Sequence, residues 1–166
     1  MLEILKYPDP RLKRVSQPVV KFDAELHKLL DAMAVTMYGA NGVGLAAPQV
    51  GKTLRAFVID INSDESNTRQ IYEVINPTIV SGEGKIVYEE GCLSIPGVSE
   101  EVTRRSKITV NYQDRFGQPQ VLEAEGLLAV ALQHENDHLD GILFVERLSP
   151  LRRRLTRKKL DKVMAL

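Results

Sequence analysis

Residues 133–141 carry the pattern in this chain most capable of chemistry, a His-Glu-x-x-His spacing from His134 to His138. Residues four apart lie one turn apart on the same helix face, so both imidazoles can reach one cation. Glu135 lies beside them and can move a proton to or from water bound to that cation. The spacing predicts a hydrolytic metal site. The alternative is an exposed polar helix end with two solvated histidines.

Two histidines make half of a tetrahedral site, and a catalytic site needs a third protein ligand. Asp, Glu, His or Cys could supply it. Cys92 is the sole cysteine of the chain and follows a predicted strand. A thiolate is a good ligand for zinc or ferrous iron, although a lone cysteine is often a small buried hydrophobe. The neighbouring Gly91 and the strand-end position favour exposure in a cleft, so we expect Cys92 to be the third ligand.

A third segment, residues 42–49, reads Gly-Val-Gly-Leu-Ala-Ala-Pro-Gln. Its glycines allow close approach of a ligand or a second strand to the backbone. They could also mark a tight turn under a sheet. Gln49 could be a surface amide or a donor to an oxyanion, and the spacing alone leaves both open.

The histidines must be positioned by a helix, which the pattern predicts from about Glu125 to Leu139. Residues 127–132 are apolar around the whole helical circumference, which is typical of a buried helix. Buried imidazoles need partners, and this favours a metal site over solvated histidines.

The same helix presents an apolar wall next to the histidines. Leu127 and Ala131 lie on the face of His134 and His138, with Val130 nearby. A linear apolar side chain such as methionine would suit this wall. The alternative is that these residues are only core.

The other elements complete an α+β fold. We expect mostly antiparallel sheets packed around the central buried helix that carries the histidines, plus a C-terminal helix. Gly82-Glu83-Gly84 and Arg115-Phe116-Gly117 are turn signals that predict hairpins. His27 lies off the apolar stripe of its helix and is predicted to be solvated. The predicted helices are 10–15, 23–38 and one opening at Ser149-Pro150, and the predicted strands are 54–61, 71–80, 86–90, 98–102, 108–112 and 121–123.

Composition indicates a single domain over residues 1–166. The chain is 43% hydrophobic and 27% charged, as expected of a soluble globular protein. No apolar run approaches the roughly 18 residues of a membrane-spanning helix, and the N-terminus lacks an apolar signal core. A single cysteine cannot form an internal disulfide. We therefore expect a cytoplasmic protein without a membrane partner.

The net charge of zero hides a basic tail. Residues 151–166 contain seven Lys or Arg and one Asp, a net charge of +6 that balances −6 on residues 1–150. Leu151, Leu155, Leu160 and Val163 could form an apolar stripe. The tail is either a solvated helix packed against the body or an electrostatic contact with RNA.

Taken together, the three segments closely resemble the peptide deformylase family. Gly42–Gln49, Glu90–Ser94 and Gln133–Gly141 match its motifs GxGLAAxQ, EGCLS and QHExDHLDG, in that order. The connecting strands and the terminal helix fit as well, so the resemblance covers nearly the whole chain. Three motifs at compatible separations are highly specific.

The resemblance implies a role for each matching residue. Glu135 would be the general acid/base, and Gln49 with the backbone N–H of Leu93 would stabilise the oxyanion. Gly44 would hydrogen-bond the main chain of the substrate. The implied metal ligands are Cys92, His134 and His138, and the implied substrate-binding residues are Val43, Gly44, Tyr88, Gly91, Leu127 and Val130.

The resemblance also implies a cofactor and partners. Fe(II) is generally the natural metal of the family, and Zn, Ni or Co can replace it. The substrates would be formyl-methionyl nascent peptides, cleaved to formate and a free N-terminal methionine. Some members bind the ribosome through a similar C-terminal helix, so residues 150–166 are expected to do so here. Independently of the resemblance, Arg104 and Arg105 follow a predicted strand, and a pairing with Glu90 is conceivable.

Two other functions compete with this interpretation. A zinc endopeptidase of the His-Glu-x-x-His type usually finds its third ligand downstream. Here no His follows His138, and Glu146 is the only downstream glutamate. A non-catalytic, ribosome-associated metal-binding protein predicts a closed four-ligand site, but the motifs offer no fourth Cys or His. The presence of Glu135 and Gln49 also favours an enzyme.

Overall fold

The computed structural model describes residues 1–65 and 67–164. Three α-helices, seven strands and three short 3-10 helices make up the described fold. The helices are α1 (Ala24–Gly39), α2 (Gly126–Leu139) and α3 (Pro150–Met164), with 3-10 turns at Pro10–Lys13, Ala47–Val50 and Phe144–Arg147. The strands are β1 (Gly44–Ala46), β2 (Ala56–Ile59), β3 (Tyr72–Glu83), β4 (Ile86–Cys92), β5 (Ile95–Arg104), β6 (Lys107–Gln113) and β7 (Pro119–Glu125).

The strands form two antiparallel sheets. The larger has the order β1-β2-β3-β6-β7, and the smaller consists of β4 and β5 alone. The hairpin predicted at 115–117 is confirmed and joins β6 to β7. The hairpin predicted at 82–84 is wrong, because β3 pairs with β6 as far as Glu83–Lys107. Gly84, with a φ of +69°, then turns the chain into the second sheet.

Helix α2 packs at the centre, as the predicted α+β architecture requires. Its residues Ala129 and Leu132 are buried against the larger sheet, in a core that includes Phe57, Ile59 and Val110. Its opposite side faces the end of β4. The predicted buried helix and the antiparallel sheets are therefore both confirmed.

Local signals set the helix ends. The Asp23 carboxylate accepts a hydrogen bond from the Leu26 N–H at 3.1 Å and caps α1. The helix predicted at 10–15 is a single 3-10 turn, Pro10–Lys13.

The predicted solvation of His27 is wrong. Its Nε2 lies 2.8 Å from the Arg115 carbonyl oxygen, because the β6–β7 turn packs on α1.

Helix α3 divides its apolar residues between two faces. Leu160 is buried beside β5, whereas the Leu151 and Leu155 side chains are 63% and 50% exposed. The single apolar stripe predicted for this helix is therefore wrong, because at about 100° per residue Leu151 and Leu160 point in opposite directions. None of the helices in residues 1–65 and 67–164 has the length and apolar character needed to cross a membrane.

Candidate active site

A cleft of about 360 Å³ opens between β1, the end of β4 and α2. It brings together the sequence-predicted site residues from all three motif segments. His138 lies beneath the cleft floor and is 1% exposed. The predicted residues lining the cleft are Val43, Gly44, Gln49, Tyr88, Gly91, Cys92, Leu93, Leu127, Val130, His134 and Glu135.

A cluster of three ligand atoms lies at the base of the cleft. One atom each from Cys92, His134 and His138 falls within 4.8 Å of the other two. The two histidines come from consecutive turns of α2, and Cys92 ends β4. His134 and His138 are 8% and 1% exposed, so the alternative of solvated histidines is wrong.

The spacing of this cluster fits a tetrahedral divalent metal. Bonds of about 2.3 Å to sulfur and about 2.0 Å to nitrogen place two ligand atoms about 3.5 Å apart. Cys92 Sγ and His138 Nε2 are 3.4 Å apart. Burial lowers the pKa of His138, which keeps the imidazole neutral with a lone pair to donate.

Glu90 holds His134 in position. Its Oε1 lies 2.9 Å from His134 Nδ1, so the Nε2 of the ring faces the cluster. Arg104 donates two hydrogen bonds of 2.9 Å to the same carboxylate. Burial raises the pKa of Glu90, but the hydrogen bonds from Arg104 and His134 outweigh it and hold that pKa below its ordinary value. Glu90 is thus a buried carboxylate that fixes the imidazole ring.

The Gln49 side chain directs its amide N–H group toward the three-ligand cluster. Its Oε1 accepts a hydrogen bond from the Ala46 N–H at 2.9 Å, which orients the amide. Its Nε2 then lies 3.4 Å from Cys92 Sγ and 3.1 Å from Ser94 Oγ. With 1% of its surface exposed, Gln49 is a buried donor and not a surface amide.

Glu135 lies between the ligand cluster and strand β1. Its Oε2 is 4.0 Å from His134 Nε2, and its Oε1 has no hydrogen-bond partner among the described residues. Burial raises the pKa of this carboxyl to about 7. A carboxyl with that pKa can both accept and donate a proton near neutral pH.

Apolar side chains form the cleft wall beyond the cluster. Val130 is 2% exposed and lies with Leu127 on the α2 side. Val43 and Tyr88 are 41% and 40% exposed and form the rim. The cleft therefore has a buried apolar wall on α2 and an exposed apolar rim.

Sequence reasoning missed part of the support beneath the cleft. Asp137, on α2, binds Arg104 and Arg147. Its position within the third motif, one turn after His134, was an available signal. No sequence signal pointed to Arg147, because its contact with Asp137 depends on where the 3-10 turn after α2 lies.

Comparisons of the sequence and the fold with known proteins all lead to one family. A family model described as polypeptide deformylase matches residues 1–154. A peptide deformylase of Wolinella succinogenes is 51% identical over 164 residues, which cover 98% of this chain and 96% of that protein. Peptide deformylase 2 of Xanthomonas axonopodis pv. citri is 54% identical over 165 residues, covering 98% and 95%. The crystal structure of a peptide deformylase from Legionella pneumophila matches with a TM-score of 0.91 and 50% identity, covering 99% and 96%.

Proposed function

We propose roles for individual residues of this chain in the reaction of the polypeptide deformylase family, to which the chain belongs. Members of this family are metal-dependent hydrolases that remove the N-terminal formyl group from nascent peptides. Family membership favours formyl hydrolysis over the endopeptidase and the non-catalytic binding protein. The observation that carries the proposal is the convergence of three ligand atoms within 4.8 Å at the base of an apolar cleft.

Cys92, His134 and His138 hold one divalent metal ion. When bound, this ion supplies a Lewis acid for the formyl carbonyl and lowers the pKa of a coordinated water. A donor set of one thiolate and two imidazoles suits Fe(II), which we propose as the resident metal, and it also accepts Zn, Ni or Co. Elemental analysis of protein purified without oxygen tests this assignment, and stoichiometric zinc with no iron would overturn it.

Glu135 moves the proton. Its carboxylate takes a proton from the attacking water and delivers it to the amine nitrogen as the carbon–nitrogen bond breaks. Its pKa of about 7 suits both transfers. The products are formate and a free N-terminal methionine.

Gln49 and Leu93 stabilise the charge that develops on the formyl oxygen. The Gln49 amide is held by the Ala46 N–H before substrate arrives, so it needs no reorganisation during the reaction. We assign the second donor to the backbone N–H of Leu93, next to Cys92 on the cleft wall.

The cleft wall selects the first side chain of the substrate. Leu127, Val130, Val43 and Tyr88 enclose an unbranched apolar side chain such as methionine. Gly44, in the short edge strand β1, leaves its backbone open to pair with the main chain of the peptide. Gly91 borders the cleft beside Cys92, and we assign it to substrate binding as well.

The deciding experiment measures formate released from formyl-Met peptides under anaerobic conditions. We expect Glu135→Gln to lower kcat by about 10²- to 10⁴-fold with its metal content unchanged. Glu101→Gln is the matched control, because Glu101 is an exposed glutamate on β5. No formate from the metal-loaded wild type, or an equally active Glu135→Gln variant, would overturn the proposal.

We further propose that α3 contacts RNA at the ribosome and that the enzyme, one domain over residues 1–166, works in the cytoplasm. The exposed basic side chains of α3 include Arg154, Arg157, Lys158 and Lys162. Deleting the helix would expose the core, because Leu160 is 1% exposed.

Charge substitution therefore gives the sharper test of ribosome binding. Replacing Arg154, Arg157, Lys158 and Lys162 with Gln should weaken ribosome affinity and flatten its dependence on salt. Activity on short formyl peptides should stay at the wild-type value. Unchanged ribosome affinity would contradict the proposal.

A further inference from the structure

A continuous chain of hydrogen bonds runs from the protein surface to His134. It runs from the 3-10 turn after α2 to Asp137 on α2, then to β5 and β4, and returns to α2 at His134. All of its members except the first are buried, with exposures of 5–8%. In order from the surface they are Arg147, Asp137, Arg104, Glu90 and His134.

Every link in this chain is short. Arg147 Nη2 and Nε donate to the two Asp137 oxygens at 2.7 and 3.0 Å. Arg104 Nη1 donates to Asp137 at 2.7 Å, and its other nitrogens bind Glu90. One guanidinium is therefore shared between the carboxylate that orients His134 and a second carboxylate.

The charge balance of the chain depends on Arg147. Glu90 and Asp137 are two buried negative charges, and Arg104 is one buried positive charge. Arg147 supplies the fourth charge from a side chain that is 46% exposed. Without it, Asp137 would be an uncompensated buried carboxylate competing with Glu90 for Arg104, and an unpaired buried charge is costly.

We propose that Arg147 is a positioning residue for His134, acting through Asp137, Arg104 and Glu90. By neutralising Asp137 it leaves Arg104 aligned on Glu90, and Glu90 in turn fixes the His134 ring toward the metal. The inference rests on the proposed role of His134 as a metal ligand. Losing a direct partner of a ligating histidine typically costs about 10–100-fold in metal affinity, and Arg147 acts from farther away, so we expect about 3- to 10-fold.

The experiment compares the Zn(II) dissociation constants of metal-free wild type and variants by chelator competition. Arg147→Gln should weaken Zn(II) binding by about 3- to 10-fold. Arg147→Lys should recover part of this loss because it restores the positive charge. Arg11→Gln is a matched control. Arg11 is 48% exposed and also makes a two-bond contact with an aspartate, Asp9, and neither residue lines the cleft.

The absorption spectrum of the Co(II)-substituted protein and the melting temperature of the metal-free protein together separate an effect on ligand position from an effect on stability. The absorption of the Co(II)-substituted protein should shift in Arg147→Gln and stay unchanged in Arg11→Gln, because it reports ligand geometry. Wild-type affinity and spectrum in Arg147→Gln, even with a lower melting temperature of the metal-free form, would overturn the inference. If His134→Ala binds Zn(II) as tightly as wild type, the proposed metal site itself fails, which is a distinguishable outcome.

Discussion

Gly44 and Glu135 approach so closely that a Cβ on residue 44 would lie 2.9 Å from the Glu135 carboxyl carbon. Edge strand β1 and helix α2 are thus in contact at the residue proposed to move the proton. Only glycine at position 44 permits both the strand pairing and the carboxylate position.

Gly44→Ala should displace Glu135 and reduce kcat by about 10²-fold, the usual cost of a misplacement of about 1 Å at a reacting group. Steady-state kinetics with a formyl-Met peptide measure the effect. Gly82→Ala is a suitable control, because the added Cβ meets only the flexible Arg105 side chain, at 3.2 Å. Equal kcat values for Gly44→Ala and wild type would contradict the proposed role of this contact.

Gln49→Leu should lower kcat by about 10²- to 10³-fold, because it removes a preorganised donor to the developing oxyanion. The KM should change little, since the amide acts on charge present mainly in the transition state. Ser94→Ala removes only the Gln49 hydrogen bond to Ser94 Oγ and should have a much smaller effect. A loss confined to KM would show that Gln49 binds substrate and does not stabilise charge.

Metal removal should destabilise the fold. The proposed ligands join the end of β4 to α2, so a bound ion adds a link between the smaller sheet and the central helix. At a free metal concentration 100 times the dissociation constant, the added free energy of unfolding is about 2.7 kcal/mol. Thermal melts with and without metal test this. The response should vanish in Cys92→Ala and persist in His27→Gln, whose histidine lies outside the cluster.

Acid should weaken the attachment of α3 to the body through Glu100, which binds Arg152, Thr156 and Lys159 on that helix. Burial raises the pKa of Glu100, but these hydrogen bonds outweigh it and hold the pKa below its ordinary value of 4.5. A carboxylate with a lowered pKa contributes stability above its unfolded pKa, and this is lost as the pH falls through the folded pKa.

Urea unfolding of Glu100→Gln measures that contribution. At pH 7 the variant should be less stable than wild type by about 0.5–1 kcal/mol, the range of partly exposed ion pairs. The difference should shrink steadily below pH 4.5. Glu101→Gln, the neighbouring exposed glutamate, should match wild type throughout, and a difference independent of pH would rule out the ionised carboxylate as its source.

Local sequence signals predicted the helices and strands better than they predicted which strands pair with each other. Asp23 capped α1 as a cap residue should, and the apolar residues 127–132 marked the buried helix. The hairpin predicted at 82–84 is wrong because a turn signal indicates only that the chain bends, not which strands pair. Which strand lies beside β3 depends on β6, more than 20 residues later in the chain.

Residue types and local spacing are enough to predict a hydrolytic metal site, since His134 and His138 share a helix face and Glu135 lies beside them. Two short motifs also indicate Cys92 and Gln49. The distances between these segments, and the Arg147–Asp137–Arg104–Glu90 chain behind His134, follow from the tertiary structure alone. Helical spacing is a local property of the backbone, whereas contacts between β4, β5 and α2 depend on how separate elements pack.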